Sequence, residues 1–292
     1  METIKTSELI TNDDGSIFHL HLTPEELASK IILVGDPGRV NTVASHLDSI
    51  EIERENREFH TITGRYHKER ISIISTGIGP DNIDIVLNEL DALANINLKS
   101  KQINSEHKSL QIIRIGTCGS VQAEVPVNSF VISAASIGID GVLRFYKDHE
   151  RVCDVAMEEA FIQHCQWTNK TARPYAVRAS EELVGKLHKP GITVKGITLT
   201  APGFYGPQGR VLRLPIEMPN VNARINTFKH GDLPLINYEM ESAPIAGLAA
   251  LMGHQATTIC LVIANRQTGE ANPDYHAHMK QLIEYTLNTL IN

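Results

Sequence analysis

Short apolar runs alternate with amphipathic stretches along the chain from about residue 31 onwards. The runs are rich in isoleucine, leucine and valine, a glycine-containing loop follows each of them, and they lie at 31–34, 71–76, 111–115 and 256–264. Short β-branched runs that are bounded by turns are typical of strands buried on both faces of a sheet. The pattern therefore predicts several buried strands.

The stretches between these runs have the spacing of helices. Apolar residues recur at i, i+3, i+4 and i+7 within residues 83–90, and a similar spacing returns within residues 279–291. Alternating strands and helices predict an α/β fold in which helices flank a central mixed β-sheet. No linker rich in proline, glycine or serine divides the chain, so we expect one domain over residues 1–292. The polar segment 97–110 is predicted to be a surface insertion.

The balance of charge limits the partners of the chain. A formal net charge of -7 and a pI of about 6.0 argue against nucleic acid, whose phosphates are bound by clustered lysines and arginines. A small phosphate ligand is not excluded, because a few local arginines can bind it. The cysteines have no metal-ligand spacing and are expected to be free thiols. The N-terminus lacks the apolar core of a signal peptide and no run is long enough to span a membrane, so we expect a cytoplasmic protein without a membrane partner.

Glycine-rich loops follow the predicted strands, with the sequences GDPGR, TGIGP, GTCGS and NRQTG. In α/β sheets, ligands bind beyond the carboxyl ends of the strands, and glycine lets backbone N–H groups approach an anion. Gly35 and Arg39, in the first loop, would offer backbone donors and a guanidinium to phosphate. A plain strand–turn–helix connection with a solvated arginine explains the same residues, and spacing alone leaves both interpretations open.

Two further arginines differ in how strongly the sequence favours a functional role. Arg114 lies in an apolar run, where a charge is costly unless it is paired. Either a carboxylate holds it in the core, or its guanidinium reaches the end of the strand and binds phosphate beside the hydroxyl of Thr117. Arg57 lies in the alternating segment REFHTITGRY, which predicts a strand with Arg57 at the surface.

The block NYEMESA, at 237–243, has an ordinary interpretation when it is considered alone. The helix dipole favours acidic residues near a helix start, which accounts for Glu239 and Glu241, and Met240 fits a core position. In the same way, His19 fits a surface histidine and Gln208 a turn residue.

Taken together, these residues resemble the nucleoside phosphorylase superfamily, which includes uridine phosphorylases and bacterial purine nucleoside phosphorylases. The blocks that carry the resemblance are VGDPGR at 34–39, STGIGP at 75–80, IRIGTCGS at 113–120 and NYEMESA at 237–243. A further block, GFYGPQGR at 203–210, resembles the loop with which uridine phosphorylases contact the pyrimidine. The hexameric purine enzymes carry a catalytic aspartate near the position of Asn265, and this chain has none there.

The resemblance implies reversible phosphorolysis of uridine to uracil and ribose 1-phosphate. The catalytic residues would be Arg114, Arg210 and Glu241. The phosphate site would be formed by Gly35, Arg39, Arg114, Thr117 and, from a neighbouring subunit, Arg57. The nucleoside would be bound by His19 from that neighbour and by Phe204, Gln208, Arg210, Met240, Glu241 and Arg266.

The same resemblance implies a homo-oligomer whose sites are shared across a dimer interface, with a nucleoside and phosphate as its ligands. No metal or organic cofactor is expected, because phosphate is the nucleophile and arginines supply the electrostatics. Some relatives bind a monovalent cation near a glutamate like Glu58, although Asn82 stands where they have a serine. The alternatives are a purine nucleoside phosphorylase, a nucleosidase that uses water, and a non-catalytic nucleoside-binding protein.

Overall fold

The computed structural model describes residues 3–291. Its helices are α1 Pro37–Ala44, α2 Pro80–Asn95, α3 Val155–Cys165, α4 Glu181–Leu187, α5 Val221–Ile225, α6 Ser242–Leu251 and α7 His276–Leu290. Its strands are β1 Lys30–Val34, β2 Ser49–Asn56, β3 Phe59–Tyr66, β4 Glu69–Ser75, β5 Ile96–Asn97, β6 Gln102–Ile103, β7 Gln111–Ser120, β8 Phe130–Gly138, β9 Tyr175–Arg178, β10 Thr193–Thr200, β11 Lys229–His230, β12 Leu233–Glu239 and β13 Gln255–Asn265. The predicted runs lie in β1, β4, β7 and β13, and the predicted helical stretches lie in α2 and α7, apart from one residue each at the ends of β4 and α7.

Among the described residues, every strand except β5 and β6 belongs to one mixed sheet. The strand order is β11-β12-β10-β8-β13-β7-β1-β4-β3-β2, and β9 pairs with β8. An additional antiparallel pairing between β12 and β7 closes β12, β10, β8, β13 and β7 on themselves. The predicted α/β fold with a central mixed sheet flanked by helices is confirmed.

Strand β1 shows why the apolar runs form buried strands. Successive side chains of a strand point to opposite faces. Ile31 and Leu33 pack with α2 and α6 on one face, whereas Ile32 and Val34 pack with α1 and α7 on the other. All four side chains are fully buried, and each contributes about 1.5–3 kcal/mol of transfer free energy. A continuous apolar run is therefore what this central strand requires.

The direction of the central strands positions the site. Strands β4, β1, β7 and β13 are neighbours and run parallel to one another. Their carboxyl ends therefore share one edge of the sheet, where the loops that follow them also meet. This carboxyl edge is where a ligand of an α/β sheet binds.

Residues 96–110 connect α2 to β7 and contain the two-stranded ribbon of β5 and β6. Most of the residues at 97–110 are exposed, which confirms their predicted position at the surface. Within residues 3–291, no helix combines the length and the apolar composition that crossing a bilayer requires.

Candidate active site

Arg114 is the charged centre of the carboxyl edge. Only 5% of its surface is exposed, and its guanidinium lies against Gly116, two residues further along the same face of β7. A Cβ at position 116 would lie 2.1 Å from Nη1 of Arg114. The missing side chain at Gly116 therefore leaves the space in which this guanidinium lies.

Two glutamates at and just beyond the end of β12 surround the guanidinium. Glu241 Oε2 pairs with Nη2 of Arg114, and Glu239 Oε2 lies 3.5 Å from Nη1. All three side chains are buried, and buried charges are stable only when they are paired. The interpretation of Arg114 as a buried, carboxylate-paired arginine is confirmed, and its partner is the residue that the resemblance assigns to the ribose.

The two glutamates have different surroundings. Glu239 accepts hydrogen bonds from the hydroxyl of Thr200 at 2.5 Å and from the backbone N–H groups of Glu241 and Ser242 at 2.7 and 2.8 Å. Glu239 therefore holds the start of α6. Within the part of the chain that the structure describes, Glu241 accepts one backbone hydrogen bond, from the N–H of Gly79 at 2.9 Å. Of the two carboxylates, Glu241 is the one less committed to holding the fold.

The charges of this cluster influence one another strongly. Burial raises the pKa of Glu241, and Glu239 adds to the rise, whereas Arg114 lowers it. Burial alone would lower the pKa of Arg114, but the carboxylates of Glu241 and Glu239 raise it overall. Two carboxyl groups thus share one permanently charged guanidinium, so a proton on Glu241 is less costly here than in water.

The loop GDPGR brings a second guanidinium to this edge. Asp36 accepts a hydrogen bond from the N–H of Gly38 at 2.9 Å and caps α1, which places Arg39 in the first turn of that helix. Burial is the main reason why the pKa of Arg39 is lowered, and the charge of Arg114 lowers it further. Two guanidiniums that repel each other in a shared site favour an anion between them.

The remaining predicted phosphate and ribose residues adjoin this pair. A Cβ at Gly35 would lie 3.9 Å from Nη2 of Arg114, so the backbone of Gly35 is close to the guanidinium. Thr117, in β7, and Met240, between the two glutamates, are both half-buried. Contacts join Gly35 and Glu241 to Arg114, and Nη1 of Arg39 donates to the carbonyl of Ile115, the residue after Arg114, at 3.3 Å. Thr117 and Met240 are near this cluster through their neighbours in the chain.

The loop at 203–210 is cross-linked by its own arginine. Nη1 of Arg210 donates to the carbonyl of Phe204 at 2.7 Å and to Oε1 of Gln208. The Arg210 guanidinium also lies over the Phe204 ring, 3.9 Å from its centre. Gln208 is buried, while Phe204 is 52% exposed. The structure thus brings Phe204, Gln208 and Arg210 together as the resemblance implies.

Arg266 lies behind this loop. Its guanidinium is 5.0 Å from the centre of the Tyr238 ring, and its Nη1 is buried without a hydrogen-bond partner among the described residues. Burial lowers the pKa of Arg210, and the charge of Arg266 lowers it further. This second pair of repelling guanidiniums would stabilise negative charge that develops on a leaving group.

A cavity of about 720 Å³ opens beside residues 203–210, which are called the base-recognition loop after their predicted role. Its walls are mostly apolar and include Trp167, Tyr205, Arg210, Leu214 and Tyr238. Arg114 and Glu241 do not line it. The cavity therefore adjoins the predicted base site, whereas Arg114 and Glu241, which are predicted to bind phosphate and ribose, lie outside it.

His19 and Arg57 form a second group, around Phe18. The Arg57 guanidinium is 5.9 Å from the centre of the Phe18 ring, and the rings of Phe18 and His19 meet edge to face at 4.8 Å. The prediction that Arg57 lies in a strand was wrong. Arg57 lies in the turn between β2 and β3 with a φ of 57°, because a two-residue hairpin needs a positive φ. Its predicted exposure is confirmed.

Glu58 lies beside the loop that follows β4. A Cβ at Gly77 would be 3.2 Å from Cγ of Glu58 and 2.3 Å from the amide nitrogen of Asn82. Carboxylate and amide oxygens are suitable ligands for hard cations. A monovalent cation near Glu58 stays a prediction.

One group of side chains among the described residues has the spacing of metal ligands. The ligand atoms of Asp91, His107 and His254 lie within 4.8 Å of one another. Nδ1 of His254 accepts the backbone N–H of Leu110 at 3.2 Å, so Nε2 carries the proton, and it lies 3.2 Å from Asp91. Nε2 has no hydrogen-bond partner among the described residues, and a metal there would have to displace its proton. The geometry therefore favours an aspartate–histidine pair at the edge opposite Arg114.

The sequence pattern did not single out Asp140, although an acidic residue directly after an apolar run was a usable signal. Asp140 follows β8, lines the cavity, and accepts hydrogen bonds from the N–H of Val142 at 2.8 Å and the hydroxyl of Tyr175 at 3.1 Å. Burial raises its pKa to about 6. A buried carboxyl group with a raised pKa therefore lies beside the base-recognition loop.

Fold and site together define the class of protein: an α/β enzyme with paired arginine and glutamate at the carboxyl edge of a mixed sheet, between glycine-rich loops. The chain belongs to the phosphorylase superfamily, whose family model matches residues 29–289. The matched range contains every predicted site residue except His19.

Individual relatives agree with this assignment. The chain is 28% identical over 278 residues to the uridine phosphorylase of Thermococcus kodakarensis, covering 92% of this chain and 85% of that protein. It is 25% identical over 279 residues to a DeoD-type purine nucleoside phosphorylase of Actinobacillus succinogenes, covering 94% and 97%. A solved nucleoside phosphorylase of Trypanosoma brucei, which shows uridine phosphorylase activity, is 28% identical with a TM-score of 0.87, covering 97% and 99%. The resemblance to nucleoside phosphorylases is confirmed.

Proposed function

We propose that the chain is a uridine phosphorylase, a pentosyltransferase that converts uridine and phosphate reversibly into uracil and ribose 1-phosphate. The observation that carries the proposal is the contact between Arg114 and Glu241 beside Gly35. This contact puts a group that binds anions next to a carboxylate that can bind sugar hydroxyls. Relatives named for uridine phosphorylase activity support the choice.

Phosphate binds at the carboxyl edge through Arg39 and Arg114. Guanidiniums form strong, directional pairs with phosphate oxygens, and the backbone at Gly35 and the hydroxyl of Thr117 add donors. Arg57 of a neighbouring subunit completes the site, since its exposed turn projects from the sheet. Holding phosphate beneath the sugar removes most of the entropic cost of the encounter.

Glu241 binds the 2′- and 3′-hydroxyls of the ribose. Glycosidic cleavage passes through an oxocarbenium-like sugar, and a carboxylate beside the ring stabilises its positive charge. Because the carboxylate is already fixed by Gly79 and Arg114, little reorganisation is needed. Met240 packs against the sugar, and His19 of the neighbouring subunit contacts the 5′-hydroxyl.

Gln208 and Arg210 bind the uracil. One amide can accept from N3–H and donate to a carbonyl, and Arg210 neutralises charge on a carbonyl oxygen as the base leaves. The contact between Gln208 and Arg210 keeps the two groups in register before substrate arrives. Phe204 packs near the base, and Arg266 supports the loop.

This mechanism uses no metal or organic cofactor, because phosphate is the nucleophile and guanidiniums supply the electrostatics. The sharing of Arg57 and His19 makes a homodimer the smallest active unit. We assign one phosphorylase domain to residues 1–292, a cytoplasmic location and a role in pyrimidine nucleoside salvage.

A purine nucleoside phosphorylase is the second candidate, because a DeoD-type relative is almost as similar. Two features favour the pyrimidine. The paired side chains of Gln208 and Arg210 match the edge of uracil. In addition, Asn265 stands near the position where the purine enzymes have an aspartate.

An assay with uridine, thymidine, inosine and adenosine, each with and without phosphate, tests the proposal. We expect uracil to be released from uridine only when phosphate is present, and faster than any purine base is released. Preferential release of hypoxanthine or adenine would assign the chain to the purine branch. Release without phosphate would make it a nucleosidase.

A further inference from the structure

The segment FHL, from Phe18 to Leu20, is held by side chains of two different elements. Glu89, in α2, accepts hydrogen bonds from the backbone N–H of His19 at 3.0 Å and of Leu20 at 2.8 Å. Asn56, at the end of β2, donates to the carbonyls of Phe18 at 3.2 Å and of His19 at 2.8 Å. Both the donor side and the acceptor side of this short backbone segment are therefore fixed.

Glu89 also fixes the imidazole of His19. Its Oε1 lies 2.7 Å from Nδ1 of His19. A carboxylate only accepts hydrogen bonds, so Nδ1 carries the hydrogen and Nε2 of the neutral ring has the free lone pair. The His19 side chain is 27% exposed, whereas Glu89 is 12% exposed. The ring is therefore accessible, with an acceptor on the side away from Glu89.

The hydrogen bonds of Asn56 also connect His19 to Arg57. Asn56, which holds the carbonyl of His19, immediately precedes Arg57, whose guanidinium lies over the ring of Phe18. Leu20 is almost completely buried and anchors the segment in the core. The two residues that one subunit contributes to its neighbour thus belong to one fixed unit.

We propose that Glu89 is a positioning residue for the nucleoside 5′-hydroxyl, because it keeps Nε2 of His19 as a hydrogen-bond acceptor. The inference rests on the proposed function, which places His19 at that hydroxyl in the neighbouring subunit's site. Glu89 itself touches no substrate and acts through His19. It follows that the enzyme selects nucleosides with a hydrogen-bond donor at the 5′ position.

The variant Glu89→Gln tests this role with uridine, 5′-deoxyuridine and 5′-amino-5′-deoxyuridine. A glutamine amide can donate to Nδ1, which turns Nε2 into a donor. The ammonium group of the amino nucleoside only donates, so we expect kcat/KM for this substrate to fall roughly tenfold or more relative to the value for uridine. The deoxy nucleoside should keep its wild-type kcat/KM, because it lacks the group that His19 contacts.

Asp84→Asn is the matched control, since it removes one charge from the same helix. Asp84 accepts the hydroxyl of Tyr146 at 2.5 Å and does not touch His19. We expect the ratios of kcat/KM among the three substrates to equal those of the wild type. An equal fall for all three substrates in Glu89→Gln, or unchanged ratios, would overturn the proposal and leave Glu89 with a structural role only.

The ¹⁵N NMR spectrum of the His19 ring tests the tautomer independently of any activity measurement. We expect a protonated Nδ1 and a pyridine-like Nε2 in the wild type, with the two exchanged in Glu89→Gln. A wild-type ring with its hydrogen on Nε2 would overturn the proposal. If the enzyme cleaves no nucleoside, the proposed function fails, while this spectrum still decides whether Glu89 sets the tautomer of His19. If Glu89→Gln does not fold, the wild-type spectrum alone decides it.

Discussion

Single residues at the carboxyl edge are positioned by glycines, which leave space for a side chain or donate a backbone hydrogen bond. The Arg114 guanidinium occupies space that only glycine leaves free at position 116, and Glu241 is held by the N–H of Gly79. Gly79 has a φ of 103°, a conformation in which glycine is strongly favoured. The chemistry of the site therefore depends on glycines as much as on charged groups.

Gly116→Ala tests the placement of Arg114. The new Cβ would lie 2.1 Å from Nη1, so the guanidinium has to move. We expect the KM for phosphate to rise on the order of 10–100-fold and the free energy of unfolding to fall by about 1–3 kcal/mol. Steady-state kinetics with varied phosphate and urea unfolding measure the two effects.

Gly185→Ala, in α4, is the matched control, because a Cβ there meets nothing within 4 Å. It should keep the KM for phosphate and raise stability by about 0.5–1 kcal/mol. A Gly116→Ala enzyme with wild-type KM would show that phosphate does not bind at Arg114.

Asp140→Asn tests the buried carboxyl beside the cavity. Burial raises the pKa of Asp140 from 3.8 to about 6, so the folded state binds the proton more tightly than the unfolded state does. This residue therefore destabilises the fold above pH 6, and the cost disappears as the pH falls towards 4. Relative to Asp140→Asn, the wild type should gain up to about 3 kcal/mol of stability between pH 7 and pH 4. Urea unfolding at several pH values would show a constant difference if this pKa were normal.

At the scale of elements, sequence pattern predicted the central strands because burial on both faces demands continuous apolar runs. It did not predict the closure of β12 onto β7, since pairing between distant strands depends on the packing of the whole sheet. It misplaced Arg57, because the hairpin turn there has no glycine and the alternation continues through it. The site residues came from motif resemblance, whereas the Glu89–His19 contact joins residues whose partnership no local pattern reveals.

The base-recognition loop acts as one element, and Arg210→Ala tests it. Arg210 cross-links the loop through Phe204 and Gln208 and faces the leaving base in the proposed mechanism. We expect kcat/KM for uridine to fall by a factor that corresponds to about 3–4 kcal/mol of lost transition-state stabilisation. The exposed Arg151 lies outside this loop and does not line the cavity, so it provides the control, and Arg151→Ala should retain near-normal kinetics. A near-normal rate for Arg210→Ala would remove this residue from the mechanism.

At the scale of the whole molecule, the chain carries two separate surfaces that hold proposed site residues. The carboxyl edge holds Arg39, Arg114 and Glu241, whereas the unit around Phe18 presents His19 and Arg57 from a different part of the sheet. None of the described contacts joins the two surfaces within one chain. A dimer in which the second surface completes the partner's first surface accounts for both.

Mixing two inactive variants tests this sharing. Arg57→Ala removes a group that one subunit would contribute to its partner's site. Arg210→Ala removes a group from the site that would receive this contribution. A mixed dimer has one intact site, so we expect roughly a quarter of the wild-type activity when the variants are refolded together in equal amounts. Activity that does not rise above that of the separate variants would place Arg57 and Arg210 in the same subunit's site.

The identity of the sugar product tests the central claim most directly. ³¹P NMR of the enzyme with uridine and phosphate follows phosphate as it is consumed while uracil is measured in parallel. We expect one ribose 1-phosphate for each uracil released, with the reaction reversing when uracil and ribose 1-phosphate are supplied. If uracil appears together with free ribose while the phosphate signal stays unchanged, water is the nucleophile. That result would contradict the claim that phosphate, bound by Arg39 and Arg114, attacks the sugar.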